Sequence, residues 1–295
     1  MVWVRPTELV THVRSAIAAG TSDLATYGLV RLSGGMNHDV FVPTEAPNLV
    51  VKVFRPVDYG AAEHEWGALV ALASNGIAPD PIHFDLGSPP IVVMSRVSGC
   101  ALPGSALGAD HALRIDAAHR LVHLAAPWHP IRRPPAGIRS AQKTFASDEW
   151  PDMGTSIEME AWRAAKGWIA NVDIDELFWS PTTTFSHGDP NLTNYLWSEN
   201  GLVLIDWEYS DFSDPVLELA NVAEHASTRT LQDEFLATLF AAADLSNSDL
   251  ARLASGRRVM SCFWLELISR RQRLGLPTTV TVEEQALRTL AVLDL

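Results

Sequence analysis

The sequence predicts an α+β protein in which the first third of the chain forms a small β-sheet and the rest is mainly helical. Short runs of β-branched and apolar residues cluster before residue 95. From about residue 105 the apolar residues recur at helical spacing. The chain has 295 residues, 47% of them hydrophobic and 19% charged, which is enough for a substantial buried core.

Charge and composition narrow the class of protein. The net charge of -13 argues against a nucleic-acid partner held through its phosphates. It is compatible with a cationic small substrate, although many soluble proteins are equally acidic. Two cysteines, Cys100 and Cys262, form no disulfide framework or metal-ligand pattern, and no apolar run approaches the ~18 residues of a membrane span. The expectation is a cytoplasmic protein with no membrane partner, its oligomeric state left open.

The N-terminal region is predicted as one helix followed by three strands. Residues 7–19 have an amphipathic pattern with charges throughout, which favours a helix over a secretion signal. Thr7 is the expected N-cap and Gly20 the stop. The strands that follow are predicted over residues 29–32, 40–42 and 49–54.

The loop between the first two strands contains Ser33, Gly34 and Gly35. A glycine pair lets backbone N–H groups approach an anion closely, which suits a phosphate. An ordinary tight turn would use the same residues, so the loop alone does not decide between the two.

Lys52 is a charged residue within an apolar strand. One interpretation is an edge-strand lysine that prevents further strand pairing. The other is a phosphate clamp oriented by a carboxylate on the next helix, predicted over residues 61–74. Glu65 shares a face of that helix with Leu69 and is preferred to Glu63 because its stripe is more apolar.

Pro79 and Pro81 indicate a connection before a buried-type strand over residues 91–94. Residues 95–99, which follow this strand, would connect the β-rich region to the rest of the chain. There the carbonyl of Ser95 and the N–H of Val97 would suit an adenine edge, and a plain linker is the alternative.

The remainder is predicted as helices. His119, His123 and His225 have no partner at metal-ligand spacing, so each is interpreted as a packed or surface histidine. The predicted helices cover residues 111–125, 156–170, 216–225, 230–243, 248–272 and 282–293.

The most informative stretch is a hairpin with a polar loop before it. Residues 195–197 and 202–205 are predicted strands around an Asn200-Gly201 turn. This turn would set position 194 or 195 opposite position 206. Asn194 and Asp206 would then meet, and their side-chain oxygens could share a cation.

Asp189 lies five residues before Asn194, and His187 two residues before Asp189. This is the spacing of the kinase catalytic loop, H-x-D-x-x-x-x-N. Such a loop could arise by chance, but the aspartate at the facing position of the hairpin makes the signal specific.

Together these residues resemble the aminoglycoside phosphotransferase and choline kinase superfamily, small-molecule kinases related to protein kinases. The resemblance covers about residues 25 to 225. It implies a protein-kinase-like two-lobed fold, with an N-lobe over residues 1–97, a C-lobe over residues 98–295 and the nucleotide between them. The residues that carry it are Ser33, Gly34, Gly35, Lys52, Glu65, the segment Met94–Gly99, His187, Gly188, Asp189, Asn194 and the segment Leu204–Tyr209.

The resemblance also implies a role for each of these residues. Asp189 would accept the proton of the attacking hydroxyl, with His187 bracing the loop. Asn194 and Asp206 would hold Mg²⁺. Lys52, counted as catalytic, would grip the α- and β-phosphates of ATP, with GTP left open. The nucleotide site would comprise Ser33, Gly34, Gly35, Lys52, Glu65, Met94, Ser95, Val97 and Ile205.

The acceptor is the least determined feature. The chain has Asp206-Trp207-Glu208 where protein kinases have Asp-Phe-Gly, which argues against a protein substrate. Glu208, Asp211, Trp207 and Tyr209 would suit a cationic alcohol, either an amino-alcohol or an aminoglycoside-type antibiotic. Neutral sugars and nucleoside antibiotics remain open. The alternative function is a catalytically silent, nucleotide-binding regulator with the same fold.

Overall fold

A computed structural model gives the structure of the chain. It describes residues 5–20, 24–32, 38–73, 75–102, 115, 136–147, 154–178, 184–198, 201–228 and 233–294. The chain divides into two compact units. The first comprises Met1–Ala101 and Asn194–Asp211, and the second Leu102–Thr193 and Phe212–Leu295. Within the described ranges, no helix combines the length and the apolar character that a membrane span requires.

A five-stranded antiparallel sheet forms the centre of the first unit, with the order β1-β2-β3-β5-β4. Lys52 lies on β3, which pairs with β2 on one side and β5 on the other. The edge-strand interpretation of Lys52 is therefore wrong. The strands are β1 Leu29–Arg31, β2 Asp39–Pro43, β3 Leu49–Val53, β4 Pro81–Asp85 and β5 Ile91–Ser95.

The strand β4 was not predicted, because Pro79 and Pro81 indicated a connection. Pro81 is the first residue of this strand, and β4 lies at the edge of the sheet. A first residue on an edge strand is a position where the missing N–H of proline costs no ladder hydrogen bond. The prediction of a connection is confirmed at Pro79, which precedes the strand, and is wrong at Pro81.

Helix α1, Pro6–Ala18, covers one face of the sheet. Val51 and Val53 of β3 pack on that face, together with Val13 of the helix. Since side chains alternate along a strand, Lys52 points to the opposite face. The helix begins at Pro6 and not after Thr7, because proline suits the first helical position, so the predicted Thr7 N-cap is wrong.

Helix α2, Tyr59–Leu72, confirms the predicted helix over residues 61–74 apart from a shift at its ends. Its buried face includes Ala62, Glu65 and Leu69, which follow helical spacing. A glutamate in the middle of a buried stripe requires a partner, because an isolated buried charge is costly.

Three more strands of the first unit form a small sheet in the order β6-β8-β9. Its strands are β6 Cys100–Ala101, β8 Tyr195–Ser198 and β9 Gly201–Leu204. A separate two-stranded sheet pairs β7 Thr184–Ser186 with β10 Asp211–Ser213. Gly201 pairs with Ser198, so the turn comes one residue earlier than predicted. Asn194 therefore lies opposite Ile205 and not Asp206, and the Ile205 N–H donates to its carbonyl over 2.9 Å.

The second unit is mainly helical. Its long central helix α8 packs against α3, α6 and α9. The helices predicted after residue 150 are confirmed to within about three residues at each end, whereas the one predicted over 111–125 lies outside the described residues apart from Ile115. The helices are α3 Ala136–Ala146, α4 Ser156–Ile169, α5 Ile174–Leu177, α6 Pro215–Glu224, α7 Asp233–Ala242, α8 Asn247–Arg273 and α9 Val282–Leu293.

Helix α6 is fixed at its start, along its length and at its end. Asp214 caps it by accepting from the Val216 N–H over 2.8 Å, and Arg252 of α8 binds the same carboxylate over 2.6 Å. Gly256 of α8 leaves room for close packing, since a Cβ there would lie 2.9 Å from a Leu217 methyl carbon. Glu224 accepts from arginines on α8 and α9. The helix is therefore a rigid support for residues beside it.

Candidate active site

Lys52 is the centre of a buried cluster in the first unit. Its Nζ donates to Oε2 of Glu65 and Oδ1 of Asp206, and lies 3.1 Å from Oε2 of Glu208. Glu65, on the inward face of α2, is 1% exposed, whereas Glu63 is exposed. The preference for Glu65 as the partner of Lys52 is confirmed.

Three carboxylates thus share one ammonium, with ligand oxygens that all lie within 4.8 Å of one another. Burial by itself would lower the pKa of Lys52, but Glu65, Asp206 and Glu208 raise it above its ordinary value. Burial raises the pKa of Glu65 to about 7, and the two neighbouring carboxylates add to this while Lys52 opposes it. The lysine remains charged, and the cluster keeps an excess of negative charge.

A histidine completes this cluster. His38 Nε2 lies 2.7 Å from Oε2 of Glu208, and its ring centroid is 4.4 Å from that of Phe54. Burial would raise the pKa of Glu208, but the contacts with His38 and Lys52 lower it to about 2. Glu208 was predicted near the acceptor, and the structure shows it buried beside the lysine.

Asp206 has a backbone conformation that few residues adopt. Its φ of 68° and ψ of 60° lie in the left-handed region. Aspartate and asparagine enter this region more readily than other non-glycine residues. A residue held there is often part of a functional site, because the surrounding structure must maintain the strain. The buried Asn194 is close along the same hairpin, since Ile205 hydrogen bonds to it.

The other residues expected to bind nucleotide or acceptor have mixed surroundings. Trp207 is fully buried and donates from Nε1 to the Leu204 carbonyl over 2.8 Å, whereas Tyr209 and Asp211 are exposed. At the end of β5, the Ser95 hydroxyl accepts from the Asp80 N–H over 2.8 Å. Met94 is buried, Val97 and Ile205 are half-buried, and Ser33, Gly34 and Gly35 lie outside the described residues.

In the second unit, α6 supports the loop that contains Asp189. Glu218 accepts from the Gly188 N–H over 3.3 Å, and Asn221 donates to the Gly188 carbonyl, also over 3.3 Å. The Asp189 N–H donates to Nδ1 of the buried His187 over 3.3 Å. Burial raises the pKa of Glu218 to about 7, and the nearby Asp189 adds to this effect while the Gly188 N–H opposes it.

A second histidine contacts this loop. His225 Nε2 lies 3.1 Å from Oδ1 of Asp189. The partners of His38 and His225 could not be predicted from the sequence, because neither pairing has a characteristic spacing. The position of His225 just after α6, the helix that supports the loop, is the only signal that could have indicated its contact.

The fold and these side chains define a protein-kinase-like small-molecule kinase. The chain belongs to the phosphotransferase enzyme family (APH), whose model matches residues 28–255. No curated protein sequence gives a significant match. The resemblance deduced from the sequence is therefore confirmed at the level of the family and the fold.

Solved structures agree. The choline kinase LicA from Streptococcus pneumoniae is 18% identical, with a TM-score of 0.64 over 96% of this chain and 99% of that one. A choline/ethanolamine kinase family protein from Mesorhizobium loti is 19% identical, with a TM-score of 0.63 over 96% and 95%. A thermostable mutant of aminoglycoside phosphotransferase APH(4)-Ia, in a ternary complex with AMP-PNP and hygromycin B, is 15% identical, with a TM-score of 0.62 over 96% and 98%. At these identities the likeness establishes the fold.

Proposed function

We propose that the protein transfers the γ-phosphoryl group of ATP, with Mg²⁺, to a hydroxyl group of a small cationic molecule. The observation that carries this proposal is the simultaneous contact of Lys52 with Glu65 and Asp206. A strand lysine paired with a helix glutamate, with an aspartate beside them that can hold Mg²⁺, is the arrangement that kinases of this type use for phosphoryl transfer.

Lys52 would bind the α- and β-phosphates, and Glu65 would fix its direction. The backbone of Ser33, Gly34 and Gly35 would cover the phosphates. Met94, Ser95, Val97 and Ile205 would surround the base. The AMP-PNP complex of the aminoglycoside phosphotransferase supports a nucleotide of this kind, and GTP remains the alternative donor.

Asn194 and Asp206 would hold Mg²⁺. Their oxygens suit a hard cation, and the surplus of negative charge around Lys52 favours one. When bound, the ion would neutralise charge that develops on the phosphates. Glu65 and Glu208 are less suited as ligands, since both are buried whereas Asp206 is half-buried.

Asp189 would orient the acceptor hydroxyl and take its proton as the oxygen attacks phosphorus. His187 would hold the loop through the Asp189 N–H. For the acceptor, we propose a cationic alcohol such as an amino-alcohol or an aminoglycoside. The net charge of -13, the exposed Asp211 and Tyr209, and the kinases named above support this class. Glu208 and Trp207 would support the site from within.

The test is nucleotide consumption by the wild type and by Asp189→Ala, with ATP or GTP and a panel of amino-alcohols, aminoglycosides and neutral sugars. We expect turnover with a cationic alcohol and a loss of about 10²- to 10⁴-fold in kcat for Asp189→Ala. The exposed Asp294→Ala is the matched control and should leave kcat unchanged.

Two outcomes would contradict the proposal. Unchanged turnover in Asp189→Ala would remove Asp189 as the proton acceptor. Mg²⁺-dependent nucleotide binding without turnover on any acceptor would favour the silent regulator.

A further inference from the structure

We infer that His225 is a positioning residue for Asp189. It donates a hydrogen bond from Nε2 to one carboxylate oxygen of Asp189 and so fixes the direction of the carboxylate that would take the proton of the acceptor hydroxyl. This inference rests on the proposed function, in which Asp189 takes that proton.

The ring of His225 is held in place on several sides. The residue follows the end of α6, and its backbone N–H donates to the Asn221 carbonyl over 2.8 Å. Its side chain is buried, and its ring meets Trp264 edge-on with centroids 4.5 Å apart. The side chain therefore has little freedom to leave Asp189.

The hydrogen bonds of the ring determine its tautomer. The Ser227 N–H, which can only donate, contacts Nδ1 over 3.1 Å. Nδ1 is thus an acceptor, and the ring proton is on Nε2, the atom 3.1 Å from Asp189 Oδ1. A neutral imidazole in this tautomer already provides the donor.

Ser227 extends the contact to a second point of the loop. Its hydroxyl oxygen accepts from the Leu192 N–H over 3.0 Å and lies 2.7 Å from Nδ1 of His225. The Ser227 hydroxyl thus links the ring of His225 to the Leu192 N–H. His225 and Ser227 together hold the loop at Asp189 and at Leu192, while α6 holds it at Gly188.

This arrangement has a chemical consequence. A hydrogen bond to the charged form of a carboxylate favours that form. His225 would keep Asp189 ionised, and so ready to accept a proton, at lower pH than an unsupported aspartate. The hydrogen bond from His225 therefore orients the Asp189 carboxylate and also lowers its affinity for a proton.

Other titratable groups face this pair and must be held constant in a test. Glu218 on α6 and His187 in the loop lie on the side of Asp189. Glu224 precedes His225, and its carboxylate is bound by Arg257 and Arg288. None of them is altered in the variants below.

The test compares His225→Phe with His225→Gln. Phenylalanine keeps an aromatic ring against Trp264 but has no donor, whereas the glutamine amide can donate from a similar position. We expect His225→Phe to lower kcat by about 10- to 100-fold. The KM for nucleotide should not change, and the acidic limb of the pH–kcat profile should move to higher pH. His225→Gln should recover most of kcat, and His64→Ala, an exposed histidine, is the control.

A second measurement does not depend on turnover. Long-range ¹H–¹⁵N NMR of the histidine rings should show His225 protonated on Nε2. Its Nε2 proton resonance should shift in Asp189→Asn. The Nδ1 nitrogen should respond to Ser227→Ala.

The inference would be overturned by wild-type kcat and pH profile in His225→Phe, or by equal impairment in a folded His225→Gln. A ring proton on Nδ1 would also overturn it, even in an active kinase. A wild type without turnover on any acceptor would instead refute the proposed function, while the NMR result would still decide the contact between His225 and Asp189.

Discussion

The two units hold their functional side chains in different ways. In the first unit, Lys52 is fixed by full charges, since its ammonium contacts three carboxylates. In the second unit, the Asp189 loop is fixed by hydrogen bonds between its backbone and side chains of α6 and of the residues after α6. The difference matches what each group would do. A lysine that binds phosphates must stay charged and fixed in position, which neighbouring carboxylates ensure. A proton acceptor must be held in a fixed direction without further charged groups beside it.

This contrast predicts that the first unit is more sensitive to the loss of one charge. Lys52→Met would leave the buried Glu65 and Glu208 and the half-buried Asp206 without their counter-ion. We expect it to lower the free energy of unfolding by about 3–5 kcal/mol and to abolish phosphoryl transfer. Denaturant unfolding measures the first effect, with the exposed Lys143→Met as control. Equal stabilities of the two variants would show that the cluster is not held by charge.

In the second unit, we expect one buried carboxyl group to make the free energy of unfolding depend on pH. Burial raises the pKa of Glu218 to about 7 from an ordinary 4.5. The folded state therefore binds the proton of Glu218 more tightly than the unfolded state does. The resulting stabilisation of the folded state is complete below pH 4.5 and is lost as pH rises through 7.

Glu218→Gln keeps the acceptor for the Gly188 N–H but cannot titrate. The stability of the wild type relative to Glu218→Gln should fall by up to about 3 kcal/mol between pH 4.5 and 8. Denaturant unfolding at several pH values gives this difference. Parallel curves would mean that Glu218 is not buried as a proton-binding group.

His38 tests whether Glu208 belongs to the lysine cluster. His38→Phe removes the donor to a buried carboxylate, and we expect a loss of about 2 kcal/mol in the free energy of unfolding. His38→Gln, which can still donate, should lose less. If both variants are as stable as the wild type, Lys52 alone is sufficient to stabilise the buried carboxylate of Glu208.

The smallest effect should come from a helix cap away from both sites. Thr155 caps α4 by accepting from the Glu158 N–H over 3.2 Å. Thr155→Ala should cost about 1 kcal/mol of stability and leave kcat unchanged. A change in kcat would show that stability and catalysis cannot be separated in the second unit, and would weaken the comparison above.

The sequence predicted the parts that depend on local pattern. The strand with Lys52 and the helix with Glu65 follow from alternation and from 3.6-residue spacing, so their pairing was predictable. The strand β4 was missed because its edge position, which makes Pro81 acceptable, is a property of the whole sheet.

The two histidines were missed for a related reason. His38 meets Glu208 only because the fold of the first unit brings together segments far apart in the chain. His225 and Ser227 contact the loop only because α6 runs beside it. The hairpin was predicted, but its register was not, since Gly201 pairs within the strand instead of forming the turn.

The left-handed backbone of Asp206 has a practical consequence for the choice of an inactive variant. Alanine at this position would add a backbone penalty of about 1–2 kcal/mol to the loss of the carboxylate. A loss of activity in Asp206→Ala would then mix misfolding with chemistry. Asparagine tolerates the same dihedral angles and removes only the charge. Asp206→Asn is therefore the cleaner knockout for experiments in cells, where protein abundance responds to small changes in stability.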